Sequence, residues 1–219
     1  MSISKIRKTE KDRRRNILAS AIRVFERDGL AKASMRIIAK EAGCTTGAIY
    51  PLFSGKEDIY ATLLEVSLDE LQNKVAKAAA GESDAKVALL FAATSFFEYY
   101  ANKRFELDLG LYLFGFESAR SLGREKDTIL NVSLLRTLDI FGACFKRLAP
   151  IELKAEEAAV WAQNERDALF ASLIGILMLA HTGRASSIGT DPRTILQTTV
   201  QGIINKLKNN TVIGEYHVR

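Results

Sequence analysis

The chain has few of the residues from which catalytic and metal sites are usually built. Its 219 residues include two histidines, His181 and His217, and neither belongs to a Ser/His/Asp constellation. The two cysteines, Cys44 and Cys144, have no metal-ligand spacing. A glycine-rich phosphate loop is also missing. We therefore expect no enzyme, no cofactor and no bound metal.

Segments typical of membrane or secreted proteins are also scarce. No apolar stretch reaches the ~20 residues that a membrane-spanning helix needs. The basic amino terminus is not followed by the apolar region of a signal peptide. We expect a cytoplasmic protein with no membrane partner. In that reducing compartment the two cysteines should be small buried apolar residues.

Strand signals are nearly absent, and apolar residues recur with helical periodicity along most of the chain, which predicts an all-α fold. The long helices are expected at about 9–28, 54–80, 84–102, 104–121, 125–148, 153–185 and 191–209. Gly29 should end the first helix, and Asp191 with Pro192 should start the last. Ser54 and Glu57 form a capping-box pattern before the fourth helix. We expect an amino-terminal domain over 1–60, joined by this helix to a carboxyl-terminal helical bundle over 61–219.

The positive charge is concentrated near the amino terminus. Residues 1–60 hold 13 Lys+Arg and 7 Asp+Glu, leaving 18 and 19 for the remainder of the chain. The densest run is 5–15. An excess of this kind suits phosphate neutralisation. A solvated, partly disordered basic tail is the alternative for the run.

Residues 34–56 have the pattern of a helix-turn-helix, a motif whose second helix enters the DNA major groove. Met35, Ile38 and Ala39 share one face of a first short helix at about 35–42. Gly43 permits a sharp turn, and Thr45 can cap a second helix at 46–52. An ordinary helix pair is the alternative. The motif predicts double-stranded DNA as a partner.

At this point the chain resembles the TetR family of transcriptional regulators. The resemblance covers residues 14–64 and rests on Ile17, Leu18, Ala21, Phe25, Gly29, Ser34, Ile38, Ala39, Ala42, Gly43, Gly47, Ala48, Ile49, Tyr50, Phe53 and Lys56. It implies an all-helical homodimer with an amino-terminal helix-turn-helix domain. The carboxyl-terminal part would bind a ligand and dimerise.

The resemblance also implies the DNA contacts, which are Arg36, Thr45, Thr46, Gly47, Ala48, Tyr50 and Lys56. Tyr50 and Lys56 would bind phosphate. Thr46 and Ala48 are the candidates for base edges, where their methyl groups can meet a thymine methyl.

Aromatic residues are dense between 91 and 116, with polar residues among them. Such a stripe is often core, but an apolar cavity with a few polar groups is also the usual form of a small-molecule site. The resemblance places a cavity in this region. The candidate ligand contacts are Phe97, Tyr100, Tyr112, Phe116 and Trp161.

The stretch 169–180 is apolar on every face, so something must cover it on all sides. With the last helix of each subunit it can form a four-helix dimer interface, although packing within one chain is the alternative. The candidate interface residues are Leu173, Ile176, Leu177, Ala180, Leu196, Val200 and Ile203.

These observations predict a homodimeric repressor that a small-molecule effector of unknown identity releases from a palindromic operator. A DNA-binding regulator without a small-molecule effector, controlled by a protein partner or constitutive, is the alternative. Its interior should be too tightly packed to admit a ligand.

Overall fold

The computed structural model describes residues 3–112 and 124–208, and within these ranges every regular element is an α-helix. The helices are α1 (Ile3–Lys32), α2 (Met35–Glu41), α3 (Thr46–Ile49), α4 (Lys56–Ala79), α5 (Ala85–Ala101), α6 (Arg104–Tyr112), α7 (Arg124–Leu148), α8 (Ala155–His181), α9 (Arg184–Ser187) and α10 (Pro192–Lys208). The predicted all-α fold is confirmed. The predicted helix over 104–121 is described as far as Tyr112, and its remainder lies outside the described residues.

Helix α1 begins six residues earlier than the periodicity predicts, because the basic run is itself helical. Its regular part ends as expected at Gly29, where φ is 73° and ψ is 158°. Positive φ values of this size are disfavoured for side chains that carry a Cβ, so glycine suits the break. The last three residues of α1 form a separate turn after this kink.

Two compact units make up the described chain. The first comprises the described residues of Met1–Ser67 and Phe105–Leu130. Its core includes Ile17, Ala21, Val24, Phe25, Ile38, Ile49, Phe53, Ile59 and Tyr60. This division differs from the expected one at residue 60, since α6 and the start of α7 belong to the first unit. The buried Tyr60 hydroxyl donates to the Leu109 carbonyl, and the Lys126 ammonium lies 2.8 Å from Asp58.

The second unit comprises the described residues of Leu68–Arg104 and Asn131–Arg219. Its core is aromatic where α5, α7 and α8 meet. The Phe96 ring lies 5.3 Å from Tyr100, 6.0 Å from Phe141 and 6.1 Å from Phe170, measured between ring centroids. Leu169, Leu173, Leu177, Leu196 and Val200 continue the core between α8 and α10.

The predicted helix over 153–185 is divided at Gly183, where φ is 70°. The predicted start of α10 is confirmed, because an oxygen of the Asp191 carboxylate accepts a 2.8 Å hydrogen bond from the backbone N–H of Thr194. Pro192 is the first helical residue.

Most of the predicted dimer contacts are core residues instead. Leu173, Ile176, Leu177, Leu196 and Val200 are all buried within the single chain, and Ala180 and Ile203 are half-buried. A side chain without exposed area has no surface to offer a partner. The helices α8 and α10 pack on each other, and five of the seven expected interface residues belong to the core of the single chain.

Helix α7 meets the length and composition of a membrane span, with a mean hydropathy of 1.3 in its most apolar part. Four of its apolar residues, Leu130, Leu138, Phe141 and Phe145, are buried in the protein core, whereas Ile129, Val132 and Leu135 are exposed. A core helix of this kind passes the same test, so the resemblance of α7 to a span is weak evidence for a membrane.

Candidate DNA-binding site

The turn between α2 and α3 has the geometry that its sequence predicts. Gly43 has a φ of 68°, and no heavy atom lies within 4 Å of the Cβ that another residue would place there. Ser34 caps α2 by accepting a 3.3 Å hydrogen bond from the Ile37 N–H. Ile49 and Phe53, both fully buried, hold α3 and the following turn in the core. Helix α3 is therefore fixed by its inner face.

The outer face of this motif carries most of the predicted DNA contacts. Arg36, Thr45 and Gly47 are exposed, and Tyr50 is 57% exposed. Thr46 and Ala48 are half-buried. The structure brings these six residues together on α2, α3 and the residues that flank α3.

Helix α3 differs from the prediction in length and in its cap. It covers four residues rather than the seven expected over 46–52. Thr45 occupies the N-cap position in an extended conformation, but its side chain makes no capping hydrogen bond. Its hydroxyl is therefore not used to hold the helix end.

The cap of α4 also differs from the predicted pair of Ser54 and Glu57. The Ser54 N–H and hydroxyl donate to Asp58 Oδ2, at 2.9 and 3.2 Å, so Asp58 takes the role expected of Glu57. Because α4 begins at Lys56, the carboxylate of Asp58, one residue beyond Glu57, is the one that reaches the Ser54 N–H. Burial alone would raise the pKa of Asp58, but hydrogen bonds from Lys126 and Ser54 outweigh it and lower the pKa.

Lys56 has a structural role that the resemblance did not indicate. Its ammonium donates to the carbonyl oxygens of Leu30, Ala31 and Ala33, at 3.0, 3.3 and 3.0 Å. An ammonium has three N–H donors, and all three have acceptors inside the protein. In this structure the Lys56 ammonium ties the start of α4 to the carbonyls at the end of α1 and just beyond it, and is not left open for the expected phosphate contact.

Polar side chains of α1 also hold the first unit together. Arg23 and Arg27 reach Glu41 at the end of α2, at 2.8 and 3.3 Å, and these hydrogen bonds lower the pKa of the Glu41 carboxyl. Asn16 donates to the Ala42 carbonyl at 2.9 Å. Sequence reasoning missed these ties. The spacing of Arg23 and Arg27, four residues apart on one helix face, was the available signal.

The candidate ligand residues fall into three groups. Phe97 and Tyr100 are buried in the core of the second unit, and Trp161 is half-buried with its ring 6.1 Å from Phe145. Phe116 and the side chain of Tyr112 lie outside the described residues. The structure therefore gives Phe97 and Tyr100 core positions and places Trp161 near the surface.

Two of the cavities that described residues line open on the surface of the second unit. One, of about 460 Å³, lies between α7 and α8, and its lining includes Asp139, Lys146 and Arg166. The other, of about 440 Å³, is lined by Trp161, Asn164 and their neighbours. Neither cavity is lined by Phe97 or Tyr100. In the described part of the chain no group of His, Cys, Asp and Glu side chains has the arrangement of a metal site.

A short helix fixed by its inner face, with a polar outer face and a basic helix beside it, defines a helix-turn-helix protein. Residues 17–63 match the family model described as bacterial regulatory proteins, tetR family. The chain is 35% identical over 80 residues to an uncharacterized HTH-type transcriptional regulator, YfiR of Bacillus subtilis, covering 36% of this chain and 39% of that protein. It is 32% identical over 75 residues to the nicotine-responsive transcriptional repressor HdnoR of Paenarthrobacter nicotinovorans, covering 34% and 39%.

The similarity in fold to a solved structure extends beyond residues 17–63. The transcriptional regulator FadR from Bacillus subtilis, solved in complex with stearoyl-CoA, superposes with a TM-score of 0.64 at 19% identity, over 85% of this chain and 97% of that chain. Residues 17–63 therefore resemble the matching segment of tetR-family regulators, and the solved structures extend the likeness of fold alone to the rest of the chain. The sequence alignments of this chain span 39% of the length of the two curated relatives named above. The relatives and the solved structure named here are described as transcriptional regulators, which are not enzymes, in agreement with that part of the sequence prediction.

Proposed function

We propose that the protein is a cytoplasmic, homodimeric DNA-binding repressor that a small molecule releases from a palindromic operator. The observation that carries the DNA-binding part is the outer face of α2 and α3, where Arg36, Thr45, Gly47 and Tyr50 are exposed while Ile49 and Phe53 anchor the motif. A dimer would place two such faces about one DNA turn apart, ~34–36 Å. An effector that changes this separation would lower operator affinity.

The proposed DNA contacts divide into phosphate and base contacts. Arg36 is exposed and, within the described residues, has no recorded hydrogen bond or ion pair, so it replaces Lys56 as the phosphate contact beside Tyr50. Arg36→Ala should weaken binding to all sequences alike and make the salt dependence of log K shallower by about two units, because the dimer loses one phosphate contact in each subunit. Thr46→Ala should instead alter the preferred sequence. Titrations of each variant at several salt concentrations test both, and an unaltered slope for Arg36→Ala would contradict the phosphate contact.

The proposed dimer needs an uncovered surface on α8, and one is present. Ala168, Ala171, Gly175 and Met178 are exposed at alternating spacings of three and four residues, which places them along one face of the helix. The first three are small enough to allow close approach of a second helix, and Met178 adds exposed apolar surface. We assign the α8 contact between subunits to this face, defined by the four residues, in place of the buried residues expected from the sequence.

Small-molecule control is supported by an unsatisfied hydroxyl in the second unit. Thr137 is fully buried on α7, and within the described residues its Oγ1 is the buried side-chain polar atom that has no hydrogen-bond partner. Other helical hydroxyls of this chain, those of Thr62, Ser172 and Thr182, donate to the carbonyl four residues earlier. A buried unpaired hydroxyl costs about 1–3 kcal/mol. A polar group of a ligand would offset this cost if the core around Thr137 opened to admit it, because the side chain is fully buried in the free chain.

Thr137→Val tests whether this hydroxyl is unsatisfied in the free protein. Valine keeps the shape of threonine and removes the oxygen, so the free energy of unfolding should stay the same or rise by up to about 1 kcal/mol. Urea unfolding followed by circular dichroism measures the change. Ser172→Ala is the reference, because the Ser172 hydroxyl has an acceptor at 2.9 Å in the Ala168 carbonyl. A loss of stability in Thr137→Val would show that the hydroxyl is already paired.

The second candidate function is a regulator without a small-molecule effector. The packing of Phe96 against Tyr100, Phe141 and Phe170 at 5.3–6.1 Å favours it, because these rings fill the core beside Phe97. The names of two similar proteins favour the first candidate: one is called nicotine-responsive, and one was solved with stearoyl-CoA. Release of bound DNA by a small molecule separates the two candidates.

Selection of genomic fragments by the purified protein, read out by sequencing, tests the proposal as a whole. A palindromic site beside a neighbouring gene supports the operator and narrows the effector to the chemistry of that gene. No enrichment at low salt, with a confirmed dimer, would contradict DNA binding.

A further inference from the structure

The amino-terminal part of α1 extends beyond the core of the first unit. Every described side chain from residue 9 to residue 16 is exposed, whereas Ile17, the next residue, is fully buried. We call residues 3–16 the basic arm. Between positions 5 and 15 it contains seven Lys+Arg and two Asp+Glu, a net charge of +5 that equals the formal charge of the whole chain.

Such a helix is poorly stabilised by its own contacts. Isolated helices shorter than ~12–15 residues are marginal in water, and like charges three or four residues apart weaken them further. The described side chains of the basic arm before Arg14 have no apolar core against which to pack. A polyanion laid along the arm would remove the repulsion, so the charge of the arm selects an anionic partner.

Arg14 shows where the arm leaves the body of the unit. Its guanidinium donates to the Leu52 carbonyl at 3.3 Å and lies 4.5 Å from the centroid of the Phe53 ring. Leu52 is two residues beyond the exposed Tyr50. The arm therefore starts beside the turn that follows α3, on the part of the unit that carries the proposed DNA contacts.

The neighbouring cations are available for a partner. Lys11, Arg13 and Arg15 are exposed, and among the described residues none of them has a recorded hydrogen bond or ion pair. Lys11 and Arg15, four residues apart, lie on the same helix face. We propose that the basic arm is a second DNA-contacting element, which binds backbone phosphates beside the major-groove site through Lys11, Arg13 and Arg15. This inference rests on the proposed DNA-binding function.

The test compares two triple variants of the full-length protein on a random-sequence DNA duplex. One variant, K11Q/R13Q/R15Q, removes three cations of the arm, and glutamine keeps a helix propensity close to that of lysine and arginine. The control, K74Q/K77Q/K146Q, removes three exposed cations of the second unit and so changes the net charge equally. Removing one cation that binds a phosphate should make the slope of log K against log salt shallower by about 0.9.

We expect the slope of the arm variant to be shallower by about five units, because the dimer loses three such cations in each subunit, and the control to keep the wild-type slope. Equal slopes for the arm variant and the wild type would overturn the inference. An equal decrease in both variants would also overturn it, since net charge rather than the arm would then be responsible. If the wild-type protein itself fails to bind the duplex at low salt, the proposed function fails, and this outcome is distinguishable from the other two.

Discussion

Gly175→Arg should convert the protein into a folded monomer and lower its operator affinity by about 10²–10⁴-fold. Gly175 is exposed on α8, and no heavy atom lies within 4 Å of the Cβ that another residue would add there. The single chain therefore has room for the larger side chain. In the proposed dimer the same position faces a second helix, and a long charged side chain would prevent the close approach. A monomer has one helix-turn-helix motif, so it loses the gain in affinity from bivalent binding. That gain sets the expected size of the decrease.

The control is Ala159→Arg, which adds the same side chain to an exposed position on the opposite side of α8. Light scattering of the eluted protein gives the mass, which should be near 24.2 kDa for the Gly175 variant and twice that for the wild type and the control. Circular dichroism checks that the variant remains helical. A dimeric Gly175→Arg protein with wild-type affinity would contradict the proposed interface on α8.

Lys56→Ala should lower the free energy of unfolding by about 1.5–3 kcal/mol, the range for hydrogen bonds to a charged group. The substitution leaves the carbonyls of Leu30, Ala31 and Ala33 without their donor and removes a tie between α1 and α4. The salt dependence of DNA binding should be unchanged, because the ammonium is already committed within the protein. Urea unfolding and salt titrations on the same preparations measure the two effects separately.

Lys40→Ala is the matched control for this prediction. Lys40 is an exposed cation in the last turn of α2, and its ammonium makes no hydrogen bond or ion pair within the described part of the chain. Its removal should leave the stability nearly unchanged. A shallower salt slope in Lys56→Ala, with wild-type stability, would restore the phosphate role that the family resemblance implies.

The helix-turn-helix was predictable because its determinants are local. Gly43 at the turn, the spacing of Met35, Ile38 and Ala39, and the buried pair Ile49 and Phe53 all act within about twenty residues. The start of α10 at Asp191 and Pro192 was predictable for the same reason. Capping was less predictable, because a shift of one or two residues in the helix start exchanges Glu57 for Asp58 as the partner of Ser54.

Contacts between distant parts of the chain were not predictable. Arg14 and Lys56 are both cations in a basic domain, yet each is used to hold the first unit together. Lys11, Arg13 and Arg15 have the same type of side chain and remain exposed. Nothing in the local pattern separates the two groups, since the difference depends on where the acceptors and the Phe53 ring lie in the fold.

The sequence by itself determined the all-helical class, the position of the helix-turn-helix and the concentration of positive charge near the amino terminus. These follow from periodicity, turn chemistry and composition, which depend on neighbouring residues. Only the tertiary structure decided which face of α8 is core and which is exposed. Residues 169–180 are apolar around the whole helix, so no periodicity marks the inner side. The packing of α5 and α10 on α8 accompanies the burial of Leu173 and Leu177 on one side, and Ala171, Gly175 and Met178 stay open on the other.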